Sequence, residues 1–128
     1  MTNTKLQGRW GEELAAEDLR KKGYRITAMG YRTRMGEIDI IAENRKYLVF
    51  AEVKLRKSDS FAAAREFVDG SKQRRLTATA MQWLRQNPTG LQPRFDVIEI
   101  YAPLGMATES PTINHIKNAF EVKEGQNR

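Results

Sequence analysis

Apolar positions in the first part of the chain recur at helical spacing. Trp10, Leu14 and Leu19, with Ala15 and Ala16 beside them, form one stripe and predict a helix over Leu6 to Gly23. Gly23 closes it, Arg20, Lys21 and Lys22 sit in its last turn, and Glu12 and Glu13 sit early, each where the helix dipole favours that charge. The period then shortens. Tyr24 to Met29 reads as a strand, followed by a basic loop from Gly30 to Arg34. Gly36 to Ala42 is a second strand, Glu43 to Lys46 a turn, and Tyr47 to Lys54 a third strand, apolar on both faces until its end. Two-sided apolarity predicts a central, covered strand, and the short connections predict an antiparallel meander.

Leu55 to Asp69 is less regular, with a short helix expected around Phe61 to Phe67. Asp69 or Ser71 can cap a long helix that runs to about Gln86, with Leu76, Ala80, Trp83 and Leu84 on one side and Lys72, Arg74 and Arg75 near its start. Asn87, Pro88 and Gly90 end it. Arg94 to Tyr101 is a fourth strand, and the helix before it is long enough for a parallel crossover. Pro103 to Pro111 reads as a loop, Thr112 to Lys117 as an edge strand, and the residues after Phe120 as a frayed polar tail. The expected fold is α/β, a mixed central sheet of four to five strands flanked by helices, in one domain over residues 1–120.

Composition narrows the chemistry. The chain has 128 residues, a formal charge of +6, no cysteine and one histidine. A disulfide scaffold, a cysteine nucleophile, thiolate metal sites and multi-histidine sites are excluded. Carboxylates, lysine, arginine and hydroxyls remain. No apolar run approaches the roughly 20 residues of a membrane span, and Met1 to Gly8 has no signal-like apolar segment, so a cytoplasmic protein is expected. The positive balance admits a polyanionic partner without demanding one.

Two features stand out against their surroundings. Asp39 is embedded in Ile38-Asp39-Ile40-Ile41, and Glu52 and Lys54 end the most apolar strand. A carboxylate among apolar residues is costly unless it is paired or binds a cation. Spacing of two on a strand puts Glu52 and Lys54 on one face, and antiparallel neighbours bring Asp39 near Glu52 if the register allows. Hard oxygens of this kind suit Mg²⁺ or Mn²⁺, which can activate water at a phosphodiester while a lysine supplies positive charge. The tripeptide alone is a weak sign, because Glu121-Val122-Lys123 repeats it in the tail. The plainer reading is a salt bridge at a strand end.

Together these blocks resemble a known family. Gly8-x-x-Gly11-Glu12-x-x-Ala15, Lys22-Gly23-Tyr24, Arg34-x-Gly36-Glu37-Ile38-Asp39-Ile40-Ile41-Ala42, Val49-Phe50-x-Glu52-Val53-Lys54-x-Arg56, Lys72 with Arg75-Leu76, and Arg94-Phe95-Asp96-Val97-Ile98 follow one another in order. They resemble the YraN-like family of small bacterial proteins over almost the whole chain. That family is similar to the restriction-endonuclease-like superfamily, whose nuclease motif is PD-(D/E)xK, and to archaeal Holliday-junction resolvases. The resemblance implies a restriction-endonuclease-like three-layer core. It also implies that Asp39 and Glu52 are metal ligands, that Lys54 is the catalytic lysine, and that Glu12 is a helix glutamate added to the metal site. Two departures stand out: Ile38 replaces the proline of the motif, and Gly30 stands where the family usually has asparagine. Superfamily members that bind without cutting are common, so the fold alone does not establish activity.

Other candidates surround this set. Glu37 falls on the face of Asp39 by alternation and could serve as an outer metal ligand; the plain alternative is a solvated strand start. Glu13 neighbours Glu12, and helix rotation points only one of them inward. Arg32, Arg34, Arg56, Lys57, Lys72, Arg74 and Arg75 are candidates for phosphate contacts, with Arg32, Arg34, Arg56, Lys72 and Arg75 preferred. Tyr31 and Phe61 could stack on unpaired bases, but core packing or an ordinary loop aromatic is the favoured reading. His115 is expected to point off an edge strand, and Trp10 and Trp83 to be core. Three functions are therefore in play: a metal-dependent endonuclease on DNA, branched or single-stranded; a nucleic-acid-binding module without activity; and an interaction protein in a DNA-processing complex. A junction-cutting enzyme needs two active sites, so a homodimer goes with that version of the first.

Overall fold

The computed structural model describes residues 4–57 and 70–121. Helix α1 (Thr4–Lys21) leads into strands β1 (Arg25–Thr33), β2 (Gly36–Glu43) and β3 (Tyr47–Arg56). Helix α2 (Gly70–Gln86), strand β4 (Gln92–Tyr101), a 3-10 turn (Gly105–Ala107) and strand β5 (Thr112–Phe120) complete it. The five strands lie in the order β1-β2-β3-β4-β5. β1, β2 and β3 form the expected antiparallel meander, β3 and β4 are parallel, and β5 returns antiparallel along β4. The sheet is thus mixed, and α2 lies within the crossover between its parallel pair.

Each helix covers one face. Ala15, Ala16 and Leu19 of α1 pack with Ile40, Ala42, Val49, Ala51, Ile98 and Ile100. Leu76 and Ala80 of α2, with Trp83 and Leu84 beside them, pack with Ile38, Ile41, Phe50 and Phe95 on the other face. Small residues in α1 let its axis approach the sheet closely. The helix ends as its sequence predicts: Gly23 has φ +94°, its N–H donates to the Arg20 carbonyl, and the Tyr24 N–H donates back to Leu19. That closure joins Tyr24 and Leu19 in one apolar cluster.

Several boundaries and roles differ from the sequence expectation. The basic segment after Met29 is not a loop: β1 continues through Thr33, because pairing with β2 extends to Thr33 and Gly36. β5 runs on to Phe120 rather than ending at Lys117, held by pairing of Phe120 with Phe95. Trp10 is half-buried rather than core, while Trp83 packs partly buried beside the α2-side cluster. The helix expected around Phe61 to Phe67, the base-stacking candidate Phe61, and the tail beyond Glu121 lie outside the described residues.

The regular in-out alternation breaks at the bulge between Ile26 and Ala28 and again in the middle of the meander. Ile40 belongs to the α1-side cluster, yet Ile38 belongs to the α2-side one; across from them Met29 and Tyr31 divide the same way. Residues two apart on a flat strand share a face. Gly30 and Asp39 lie between these pairs, and Gly30 has φ +67°. Both strands therefore turn over here, and Glu37 does not inherit the face of Asp39 by simple alternation. The left-handed backbone at position 30 also explains why either glycine or asparagine suits it, since these residues enter that region most readily. Gly30→Asn should change unfolding free energy by a few tenths of a kcal/mol, and Gly30→Val should lower it by about 1–2 kcal/mol. Urea denaturation measures both; equal stability of the valine variant would contradict a conformational role.

A buried polar network ties α1, β4 and β5 together. Arg94 bonds Asp96 through Nε and Nη2, each at 2.8 Å, and Nη2 also donates to Tyr24 Oη at 2.7 Å. His115 Nε2 lies 2.7 Å from Asp96 Oδ2, and the Asn118 N–H donates to Oδ1 at 3.0 Å. Lys22 Nζ stands 3.1 Å from His115 Nδ1. An ammonium only donates, so Nδ1 accepts and Nε2–H faces the carboxylate. His115 therefore does not point off the edge as expected: its side chain is 2% exposed and holds β5 to β4 through Asp96. On the opposite face Glu99, also buried, accepts from Arg56 Nε at 2.8 Å, Asn114 Nδ2 at 3.0 Å and Tyr101 Oη at 3.2 Å.

Candidate functional site

The break at Asp39 builds the site. The ladder between β2 and β3 runs from Glu43 and Leu48 to Ile40 and Ala51. Beyond it, Asp39 Oδ2 accepts the Val53 N–H at 2.8 Å, a side chain taking the place of a strand carbonyl. The carboxylate is thereby anchored between the two strands. Glu52 and Lys54 follow on β3, and Lys72 comes from the first turn of α2.

Glu52 Oε1 lies 2.7 Å from Lys72 Nζ and 3.4 Å from Lys54 Nζ. Its side chain is 12% exposed, so the pairing is shielded and stronger than a surface bridge. Burial pushes the Asp39 carboxyl up from 3.8 to about 7, reinforced by Glu52, Glu12 and Glu37 and opposed by the Val53 N–H. Glu12 is also raised, by burial first and then by Glu37. Burial lowers the Lys54 ammonium, and the adjacent Lys72 adds to that. Burial is the largest single influence on Lys72 and lowers it, but the bonds to Glu52 and Lys54 with the Glu52 and Asp39 charges together outweigh burial and raise it. The result is a patch where acids oppose one another's ionisation and one carboxylate already holds two cations.

An open groove of about 640 Å³ lies over this patch, lined by Arg32, Arg34, Glu37, Asp39, Glu52, Lys72 and Arg75. The sequence candidates divide accordingly. Asp39, Glu52 and Lys72 share the groove with Arg32, Arg34 and Arg75. Lys54 joins them through Glu52, and Glu12 is electrostatically coupled to Asp39 from α1. Arg32 is engaged with Glu37 at 2.8 Å, which gives Glu37 a cationic partner. Arg56 is placed differently from expectation: its side chain is 13% exposed and committed to the buried Glu99. This ion pair ties β3 to β4, and Arg56 is not among the residues lining the groove. Tyr31 stacks edge-on to Trp83 at 5.1 Å and donates to Gln86, the packing role rather than a base-stacking one. A second cavity of about 470 Å³ lies between α2 and β4, floored by Phe50, Phe95 and Phe120, away from these candidates.

The donor set bears on a metal. Asp39 and Glu52 offer hard oxygens; burial first, and the neighbouring Glu52, Glu12 and Glu37 after it, raise the Asp39 carboxyl, and a bound cation would offset both. Among the described residues no three histidine, aspartate or glutamate side chains converge as a ready-made site. Mg²⁺ often takes only one or two protein carboxylates and completes its shell with water and substrate phosphate, so Asp39 and Glu52 fit such an ion. Glu12 shares the field of Asp39 without forming a closed triad with Asp39 and Glu52.

Arg94, Asp96 and His115 escaped sequence reasoning as a functional unit. The signal was present, because Asp96 is embedded in an apolar strand just as Asp39 is. The two differ in what surrounds them: Asp96 meets cationic and N–H donors and is held below the usual carboxylate range despite burial, by His115 and Arg94 in turn.

A five-stranded mixed sheet with a helix on each face is an α/β three-layer core, consistent in architecture with a nuclease-like core. The chain belongs to the family described as Uncharacterised protein family UPF0102, whose model matches residues 11–100. The YraN-like resemblance read from the sequence is this family. A UPF0102 protein of Caldanaerobacter subterraneus subsp. tengcongensis is 42% identical over 120 residues, covering 92% of this chain and 97% of the relative. Those of Syntrophomonas wolfei and Geobacter sulfurreducens are 42% and 40% identical, covering 88% and 94% of this chain and 96% and 92% of the relatives. No helix among the described residues is long and apolar enough to cross a membrane.

Proposed function

We propose that this protein is a metal-dependent endonuclease that hydrolyses phosphodiester bonds in DNA. The observation that supports this best is the meeting of Asp39 and Glu52 where β2 and β3 part, with two lysines beside them and a groove lined by arginines. Asp39 and Glu52 would hold Mg²⁺ or Mn²⁺, which when bound supplies a polarised water and charge for the transition state. The chain's own groups do the remaining work. The Val53 N–H fixes the Asp39 carboxylate, Lys54 brings positive charge to the scissile phosphate, and Arg34 and Arg75 hold the flanking backbone. Glu12 tunes the field of Asp39 from α1.

The pairing of Glu52 with both lysines supports a second reading, a DNA-binding module in which the acids serve only to order the cations. Cleavage assays separate the two. Linear, nicked, flapped and four-way-junction DNA are incubated with Mg²⁺ or Mn²⁺ and wild type, Asp39→Ala or Glu52→Ala. Metal-dependent cleavage that falls about 100-fold or more in both variants is expected. No cleavage of any substrate, or undiminished cleavage by the variants, removes the nuclease reading. Binding that weakens steeply with salt and ignores metal would then favour the module.

A further inference from the structure

The acidic patch has an occupant of its own. Lys72 Nζ lies 2.7 Å from Glu52 Oε1, closer than Lys54, and both ammonium groups address the same oxygen. Lys72 also feels the Asp39 carboxylate, which helps hold it protonated. Its charge therefore lies in the field of the two acids that would share a cation. No three acidic or imidazole groups are gathered there among the described residues. An ammonium and a dication cannot crowd one carboxylate oxygen without strong repulsion, least of all where burial weakens solvent screening.

We propose that Lys72 is an exchangeable internal cation: it occupies the Glu52 carboxylate until a divalent metal ion displaces it, so metal entry and Lys72 release are one coupled event. The proposal rests on the metal-site reading above and adds a gate to it. The geometry suits release. Lys72 is on the first turn of α2, its side chain is 26% exposed, and it lines the groove with Arg75 one turn further along. A lysine leaving Glu52 moves toward the groove and the phosphates that would occupy it. Lys72 is thus a positioning residue for Glu52 in the metal-free protein and a phosphate contact in the loaded one.

The test is Mn²⁺ binding, read by the electron paramagnetic resonance of free Mn²⁺, without any activity measurement. Lys72→Met and Lys72→Gln are compared with wild type and with Arg75→Met, which removes one positive charge from the same groove but no partner of Glu52. Both Lys72 variants should bind Mn²⁺ about tenfold or more tightly than wild type, and Arg75→Met should gain less than about threefold. Adding Glu52→Gln to Lys72→Met should abolish the gain. By reciprocity, Mn²⁺ should raise the rate at which an amine-acylating reagent modifies Lys72. Equal gains in the Lys72 and Arg75 variants would reduce the effect to a general field and overturn the proposal, as would unchanged affinity or unchanged labelling. Absence of Mn²⁺ binding in every protein would overturn the metal site together with the gate, whereas binding that ignores Lys72 overturns the gate alone.

Discussion

Asp96→Ala is expected to lower the stability of the protein by about 3–5 kcal/mol, because it strands Arg94 and His115 in the interior without their counter-charge and acceptor. The side chain of Asp96 is fully buried, and four bonds converge on its two oxygens: two from Arg94 and one each from His115 and Asn118. Loss of the carboxylate also frees β5 from β4 where the register already shifts, between Phe95 and Val97. The direction with pH follows from the same contacts. His115 and Arg94 outweigh burial and hold the Asp96 carboxyl below 3.8. Its contribution is therefore present in full above about pH 4 and is lost as pH falls through the still lower folded value. Urea titrations followed by tryptophan fluorescence at pH 7 and pH 3 measure this. The gap between wild type and variant should narrow at the acid end. A loss below about 1 kcal/mol at pH 7 would show that the network adds little beyond packing.

Asp39→Asn should do the reverse and raise the stability of the metal-free protein at pH 8 by about 2–4 kcal/mol. Burial and the acidic neighbours of Asp39 both disfavour its ionised form. Its carboxyl titrates near 7 when folded and near 3.8 when unfolded, so between those values the folded chain binds more protons. Stability then declines as pH rises from about 4 to about 7 and levels off above that. Glu12 adds a smaller slope of the same sign. An asparagine can still accept the Val53 N–H while carrying no charge, so the fold should be retained and this slope should flatten. The same variant should lose metal-dependent cleavage on the nuclease reading. Higher stability coupled to lost activity is the signature of a carboxylate kept for chemistry at the expense of the fold. Thermal unfolding from pH 4 to pH 8 provides the measurement, and a variant less stable than wild type at pH 8 would assign Asp39 a purely structural role.

These two aspartates show how far sequence reading reaches. Both sit in apolar strands, and pattern alone distinguishes neither from the other. One is matched by Arg94, two residues away, and by His115, which arrives from β5; the other is opposed by acids from α1, β2 and β3. Arg94 and Glu37 are near in sequence, but His115, Glu12 and Glu52 arrive through strand order, register and helix packing, which short-range patterns do not encode. The prominence of Asp39, Glu52 and Lys54 was legible because charge in an apolar strand is locally conspicuous. The ion pair between Lys72 and Glu52 was not, because it joins a helix start to a strand across the crossover. His115 was misread for a related reason: at a sheet edge, exposure depends on what the neighbouring strand offers.

The chain by itself determined the meander, the two helices, the glycine closure of α1 and the cysteine-free chemistry. Each follows from local sterics, periodicity or composition. Only the tertiary structure decided the turnover at Gly30 and Asp39, the capture of Val53 by a carboxylate, and which acids meet cations. The physical reason is that electrostatic energy in a protein depends on burial and on charges distant in sequence, and both exist only once the sheet is assembled.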